Sequence, residues 1–196
     1  ETVLNKADKG DIVSQKIFRI ITPLIKFRAC RDVRKVAGDA MEIRGGLGYI
    51  EDWLDPKILR DSHLGSIWEG TSNIISLDTI RALKKDNNLQ IFKNFLIDSV
   101  KINSEKKHEK HLISVIDDVF YFVENEVKED FTSSSRQITT SLYYLSSAIF
   151  LIEEGNYCED LAYRSKISEL IIKYKIDKNS PITRHDIDYD LINNLI

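Results

Sequence analysis

Six of the eight glycines and both tryptophans lie between residues 38 and 70, and the rest of the chain is nearly glycine-free. Glycine permits positive φ and close backbone approach, but it weakens a helix interior. Unusual backbone geometry is therefore confined to one window, and the long flanks are free to be helical. No convincing strand alternation or internal repeat appears. The chain reads as all-α, and a site, if it has one, belongs in the window.

Residues 1–9 are polar and carry no periodic pattern. Thr22-Pro23 reads as a helix start, a hydroxyl cap followed by proline at the first helical position. Leu24, Phe27, Val33, Val36, Ala37, Ala40 and Met41 then recur at mostly three- and four-residue steps, which predicts one buried face. Gly45 and Gly46 end that helix. Turns and short helix follow to about Glu69, with Asp55-Pro56 as a breaker. A second helix starts at Thr71 or Ser72 and turns Ile74, Leu77, Ile80 and Leu83 inward. Beyond a linker at residues 84–88, helical periods cover Leu89–Ile102, Leu112–Val127, Gln137–Glu153 and Leu161–Tyr174. Thr132–Ser135 and Gly155-Asn156 punctuate them, and Ser180-Pro181 opens a short tail. The division this suggests is a glycine-interrupted helical unit over 1–85 and an appended smaller helical bundle over 86–196.

A net charge of −3 offers no global basic field for nucleic acid. Cys30 and Cys158 are too few and too far apart for a disulfide framework or a metal-ligand pair, which fits a reducing compartment. No apolar run reaches the roughly 20 residues of a membrane span, and no signal-peptide pattern is present. The chain begins at Glu1 amid polar sequence, which suggests residues upstream.

Gly45-Gly46-Leu47-Gly48 is not a dinucleotide-binding fingerprint, because a helix rather than a strand precedes it and the spacing differs. On its residues alone it is a helix stop followed by a tight turn. Glu69 stands before Gly-Thr-Ser at a helix entrance, where an acidic residue is favoured by the helix dipole. It would also serve as a base if desolvated beside a flexible glycine and an aromatic wall. His108-Glu-Lys-His111 lacks the spacing of a zinc motif and reads as solvated helix. His63 near Asp61 and Ser66 lacks a nucleophile-elbow context. Seven basic residues against one acid between 16 and 35 (Lys16, Arg19, Lys26, Arg28, Arg31, Arg34 and Lys35 against Asp32) form a face that would track phosphates or be solvated.

Glu42, Gly45, Gly46, Gly48, Tyr49, Asp52, Lys57 and Asp61 fill every position of the glycine signature of the acyl-CoA dehydrogenase family. Ile67-Trp68-Glu69-Gly70-Thr71-Ser72-Asn73 resembles its second motif, an aromatic followed by Glu-Gly-Thr. The likeness covers about residues 15–85. Thr22-Pro23, Trp68, Leu77-Asp78 before Arg81 and the helical continuation resemble the alkylation-response (AidB-like) branch. The resemblance implies the C-terminal helical-bundle domain of that fold, followed by the appended bundle.

It further implies an FAD-dependent oxidoreductase that forms an α,β double bond in an acyl-CoA thioester. Glu69 matches the base that takes the α-proton, while hydride leaves to FAD. Glu42, Gly45 and Gly46 match contacts to FAD phosphates, commonly a neighbouring subunit's. Thr71 and Asn73 match further FAD contacts, and Trp68, Gly70 and Arg81 lie where the acyl-CoA is held. Glu42 stands where many members have Gln, Asn73 is shorter than the usual Gln, and Arg44 replaces an apolar residue. The implied partners are acyl-CoA, an electron-transfer flavoprotein or similar acceptor, and further copies in a homo-oligomer sharing FAD. DNA is an alternative partner through the branch, and a non-catalytic scaffold is another reading. The compartment implied is cytoplasmic for a bacterial-type protein, and mitochondrial or peroxisomal for a eukaryotic one. The family's N-terminal helical and middle β-domains have no counterpart in these residues, so the chain alone is expected to be inactive.

Overall fold

The computed structural model describes residues 2–128, 134–158 and 160–176. It is 85% helical, with no strand among the described residues. Nine α-helices occur there: α1 (Thr2–Asp8), α2 (Ile12–Ile43), α3 (Gly46–Tyr49), α4 (Asp55–Leu64), α5 (Ser72–Lys84), α6 (Asn88–Asn103), α7 (Lys106–Lys128), α8 (Ser135–Tyr157) and α9 (Leu161–Ile171). A π-helical turn at Ile172–Ile176 extends α9. The chain forms two compact units. Of the described residues, one takes those up to Leu89 and the start of α8 through Thr140; the other takes those from Gln90 through α7 and from Ser141 to Ile176.

In the first unit α1, α3, α4 and α5 all pack on α2. The expected helix start at Thr22-Pro23 is corrected: α2 begins eleven residues earlier and runs through Pro23. Two features outweigh the proline. The Asp11 carboxylate accepts the Ser14 amide at 2.8 Å and caps the helix there. Buried Ile17 and Ile20 carry the apolar stripe of Leu24 and Phe27 back across the proline. Pro23 removes one helical bond, and the Thr22 hydroxyl donates to the Phe18 carbonyl at 2.8 Å in the same turn. The polar opening residues also form a helix, α1, whose Ala7 is buried.

The expected buried face holds only in part. Leu24, Phe27 and Ala37 are buried, whereas Val33 and Val36 stand 44% and 66% exposed. In α5, Ile80 and Leu83 point inward as expected but Ile74 is exposed. Pro56 does not break a helix; it lies in the first turn of α4, where its missing N–H costs nothing. Gly45 stops α2 at φ +60. Gly48 is required for a different reason: a Cβ there would lie 2.2 Å from the Met41 carbonyl oxygen. Residues 85–87 connect α5 to α6 through Asp86 and Asn87, both at positive φ.

The second unit buries Phe92, Leu96 and Val100 of α6, Leu112, Ile116, Val119 and Val123 of α7, and Leu142, Leu145, Ile149 and Ile152 of α8. Steps of three and four residues put each set on one helix face. Phe92 meets Phe120, Phe95 meets Phe150, and Lys93 bridges to Asp117 at 2.8 Å. Gly155-Asn156 does not interrupt α8, which continues to Tyr157. Residues 129–133 and the Ser180-Pro181 tail lie outside the described residues.

The cap at Asp11 has a pH signature. The Ser14 hydroxyl and then its amide, both donating to the carboxylate, hold Asp11 below its ordinary value. A depressed carboxyl stabilises fully above its unfolded pKa of about 3.9 and loses that contribution as pH falls through the lower folded value. Asp11→Ala is expected to lower Tm at pH 7, with the gap to wild type closing as pH is taken down through that range. A gap that persists unchanged in acid would overturn the capping role.

Candidate active site

The chain from α4 to α5 is bound down on one face of α2. Trp68 N–H donates to the Leu64 carbonyl at 2.9 Å, which closes a turn after α4. Lys26 Nζ donates to the carbonyls of Gly65 at 2.6 Å and Trp68 at 3.0 Å. One turn further along the same face, the Cys30 carbonyl accepts the Ser66 hydroxyl at 2.9 Å. Immediately past these anchors the backbone reverses. Glu69 takes φ +55 and Gly70 φ +111. Thr71 follows in extended geometry as the residue before α5, and its side chain makes no capping bond.

Glu69 lies on the wall of a cleft of about 660 Å³. Phe18, Thr22 and Pro23 of α2 and Ile75 of α5 supply much of that wall, with Asp8, Arg19, Lys26 and Asp78 as its charged members besides Glu69. Arg19 and Asp78 pair at 2.6 Å across the two helices. Glu69 itself is exposed, so its carboxylate is open to whatever occupies the cleft. Trp68, Gly70 and Arg81 are not in the wall. Trp68 is 65% exposed beside it, and Arg81 is exposed in the last turn of α5.

At the entrance of α5 the surroundings turn cationic. Arg136 Nε donates to Asn73 Oδ1 at 2.6 Å. Arg31 reaches the Ser72 hydroxyl at 3.5 Å and lies over the Phe27 ring at 5.3 Å. Burial, then the like charges of Arg136, Arg34 and Arg28, hold the Arg31 guanidinium below its ordinary value, with Asp32 opposing. Arg34 Nε is buried and has no hydrogen-bond partner among the described residues.

Glu42, Gly45 and Gly46 lie elsewhere. Glu42 is sixteen residues beyond Lys26 on α2, a separation of about 24 Å along the axis. All three are exposed. A Cβ on Gly46 would meet nothing within 4 Å, so the fold itself does not demand glycine there. Arg44, unexplained by sequence pattern, bridges Asp55 at 3.3 Å and lies over the Trp53 ring at 5.1 Å, tying the end of α2 to α4. The sequence holds no spacing signal for that pair, nor for Lys26 as an anchor or Arg136 as a neighbour of Asn73.

His63 is exposed, and the Ser66 hydroxyl is engaged with Cys30. His108 lies 3.7 Å from Glu169 within the second unit. No cluster suited to a metal ion occurs among the described residues, and no described helix is long and apolar enough to cross a membrane. The basic run of α2 is largely engaged inside its own unit. Lys16 donates to the Asp86 carbonyl, Arg19 pairs with Asp78, Lys26 holds the turn, Arg28 pairs with Asp32, and Lys35 pairs with Asp39.

Residues 1–84 match the family model of the acyl-CoA dehydrogenase C-terminal domain. The chain is 33% identical over 107 residues to acyl-CoA dehydrogenase family member 11 of Caenorhabditis elegans, covering 55% of this chain and 17% of that protein. It is 42% identical over 67 residues to the putative acyl-CoA dehydrogenase AidB of Escherichia coli K12, covering 34% and 12%. The crystal structure of C. elegans ACDH-11 in complex with C11-CoA superposes with a TM-score of 0.71 at 26% identity, over 96% of this chain and 33% of that one. The chain thus spans a third or less of each of these proteins.

The reversal at Glu69-Gly70 stores strain that mutation can read. A side chain at positive φ costs roughly 1–2 kcal/mol. Glu69→Gly is therefore expected to be more stable than Glu69→Ala by roughly 1 kcal/mol in denaturant unfolding. Gly70→Ala should cost roughly 2 kcal/mol, since its Cβ would also lie 3.1 Å from Ile74 Cγ2 and 3.2 Å from Ile75 Cδ1. Equal stability of the two Glu69 variants would mean that the turn relaxes.

Proposed function

We propose, from a chain whose residues 1–84 match the acyl-CoA dehydrogenase C-terminal domain, that it forms part of an FAD-dependent enzyme that dehydrogenates an acyl-CoA thioester between its α- and β-carbons. In this reading residues 1–85 are the C-terminal part of the family's helical domain and residues 86–196 an appended helical domain. The observation that carries the reading is Glu69. A carboxylate is fixed on a strained, anchored turn at the wall of a largely apolar cleft.

An α-proton beside a thioester is too weakly acidic for a freely solvated carboxylate, so the base must be aimed and shielded. Lys26 and Ser66 aim it by tying its turn to α2. Phe18, Pro23 and Ile75 offer apolar surface to an acyl chain laid in the cleft. Glu69 then accepts the α-proton, and bound FAD supplies the acceptor for the β-hydride. Trp68, Gly70 and Arg81 would flank the thioester ligand. The C11-CoA held by the solved relative supports acyl-CoA as the substrate class.

The residues fit the cofactor in two places. The Thr71 hydroxyl, free of a capping bond, and the Asn73 amide stand beside Arg31 and Arg136, a donor-rich set suited to phosphate. Gly45 and Gly46 present bare backbone with open space where a side chain would stand. Glu42 offers acceptors only, so it suits a hydroxyl or amino group of the dinucleotide. Arg31 at the first place and Glu42 at the second are eleven residues apart on α2, about 16 Å along the axis, and two copies of the chain addressing different cofactors would use both. Ile43, Leu47, Tyr49 and Leu54 are 86%, 55%, 75% and 70% exposed at that end, apolar surface suited to a homo-oligomer interface. An electron-transfer flavoprotein or similar carrier would take electrons onward. A matrix, peroxisomal or bacterial cytoplasmic setting would supply it.

Engagement of the α2 basic residues within their own unit favours this reading over DNA binding as the main role. The deciding measurement is Glu69→Gln in the intact flavin-bearing protein. Dehydrogenation should fall by at least about 10²-fold, with flavin still bound. Unchanged turnover would sink the assignment of the base and leave the scaffold or DNA-binding readings.

A further inference from the structure

Asn73 is gripped from two directions by adjacent residues, Ser135 and Arg136, which open α8 some sixty positions later and belong to the same compact unit. Ser76 Oγ donates to the Asn73 carbonyl at 2.9 Å and lies 3.1 Å from Ser135 Oγ. A hydroxyl has one proton to give, so Ser135 is the donor to Ser76, and a relay runs from Ser135 through Ser76 to the Asn73 backbone. Both serines are buried, Ser76 completely. On the side chain, Arg136 Nε donates to Asn73 at 2.6 Å. A guanidinium has no acceptor, so the amide oxygen must face Arg136 and the amide NH2 must face away from it.

We infer that Arg136 is a positioning residue for the cofactor site: it locks the Asn73 amide so that its NH2 is presented as a hydrogen-bond donor to a phosphate or other acceptor group of FAD at the entrance of α5. The inference rests on the proposed flavoenzyme reading. An asparagine free to rotate offers oxygen or nitrogen about equally, and its oxygen repels an anion. Pinning the oxygen removes the wrong orientation before the ligand arrives, which is preorganisation. The positive charges of Arg136 and nearby Arg31 act in the same sense on an anionic ligand. Arg136 therefore acts through Asn73, and the start of α8 becomes part of the site although it lies far outside the glycine window.

The test is a double-mutant cycle on FAD affinity in the intact protein, stripped of flavin and titrated by flavin fluorescence. Asn73→Ala and Arg136→Met should each weaken FAD about tenfold, and the double variant should fall well short of the roughly hundredfold loss that independent effects would give. Arg136→Lys keeps the charge but loses the planar fork, so it should fall between wild type and Arg136→Met. If Arg136→Met does not fold, Arg136→Lys is read in the same cycle, and its smaller loss must likewise shrink in the Asn73→Ala background. Losses that add would show that Arg136 acts independently of Asn73 and overturn the inference alone. So would full affinity in the Arg136 variants while Asn73→Ala is impaired. Full affinity in Asn73→Ala, or an intact protein that binds no FAD, would remove the cofactor reading of this site and the inference with it.

Discussion

The first unit depends on α2 continuing as one helix through Pro23. A helix that began at Thr22 would leave α1 without its packing surface and would lose the turns that present Phe18 and Arg19 to the cleft. An interior proline costs about 3 kcal/mol in a helix, more than any single cap returns. The offset comes from burial on both sides of it, with Ile17, Ile20, Leu24 and Phe27 all 3% exposed or less. The same rod then carries Lys26 and Cys30, one turn apart, as the two posts to which the Gly65–Trp68 segment is tied. Glu69 is where it is because that segment ends there.

Helices with uninterrupted apolar periods were legible in the sequence. The four stretches beyond residue 88 fall within α6 to α9 and the turn that follows, because steps of three and four large apolar residues leave little alternative. Helix starts were less legible. Thr22-Pro23 has the residues of a cap, and so does Asp11, and only tertiary burial of Ile17 and Ile20 selects between them. Asp55-Pro56 poses the same ambiguity with the opposite outcome, since proline both ends helices and begins them. The exposed Val33 and Val36 show a further limit: an apolar period marks a face that wants covering, not what covers it within one chain.

For the candidate site, the sequence identified residues carrying special backbone geometry and missed those acting through side-chain reach. Glu69 and Gly70 stand out because a motif keeps a glycine at a reversal, and both take positive φ. Lys26 hides in a basic run that also suits phosphate tracking, and its use on two carbonyls depends on α4 and α5 meeting on that helix face. Arg44 departs from the family's apolar habit, yet its contacts with Trp53 and Asp55 fasten α2 to α4. Arg136 is sixty-three residues from its partner and has no periodic relation to it.

Strain and anchoring at Glu69 belong together. A non-glycine residue at positive φ persists only where its surroundings over-determine it. Here Lys26 and Ser66 hold the segment before it, and the α8 start holds Asn73, four residues after it. Between those two clamps Glu69, Gly70 and Thr71 have little freedom left, although Glu69 and Thr71 are exposed. An exposed carboxylate is ordinarily a poor base because water and rotamer freedom compete for it. The clamps remove the freedom of the backbone beneath it, so what a ligand in the cleft must still supply is the exclusion of water. That division of labour is what the proposed chemistry requires, with aim built into the fold and desolvation arriving with the thioester.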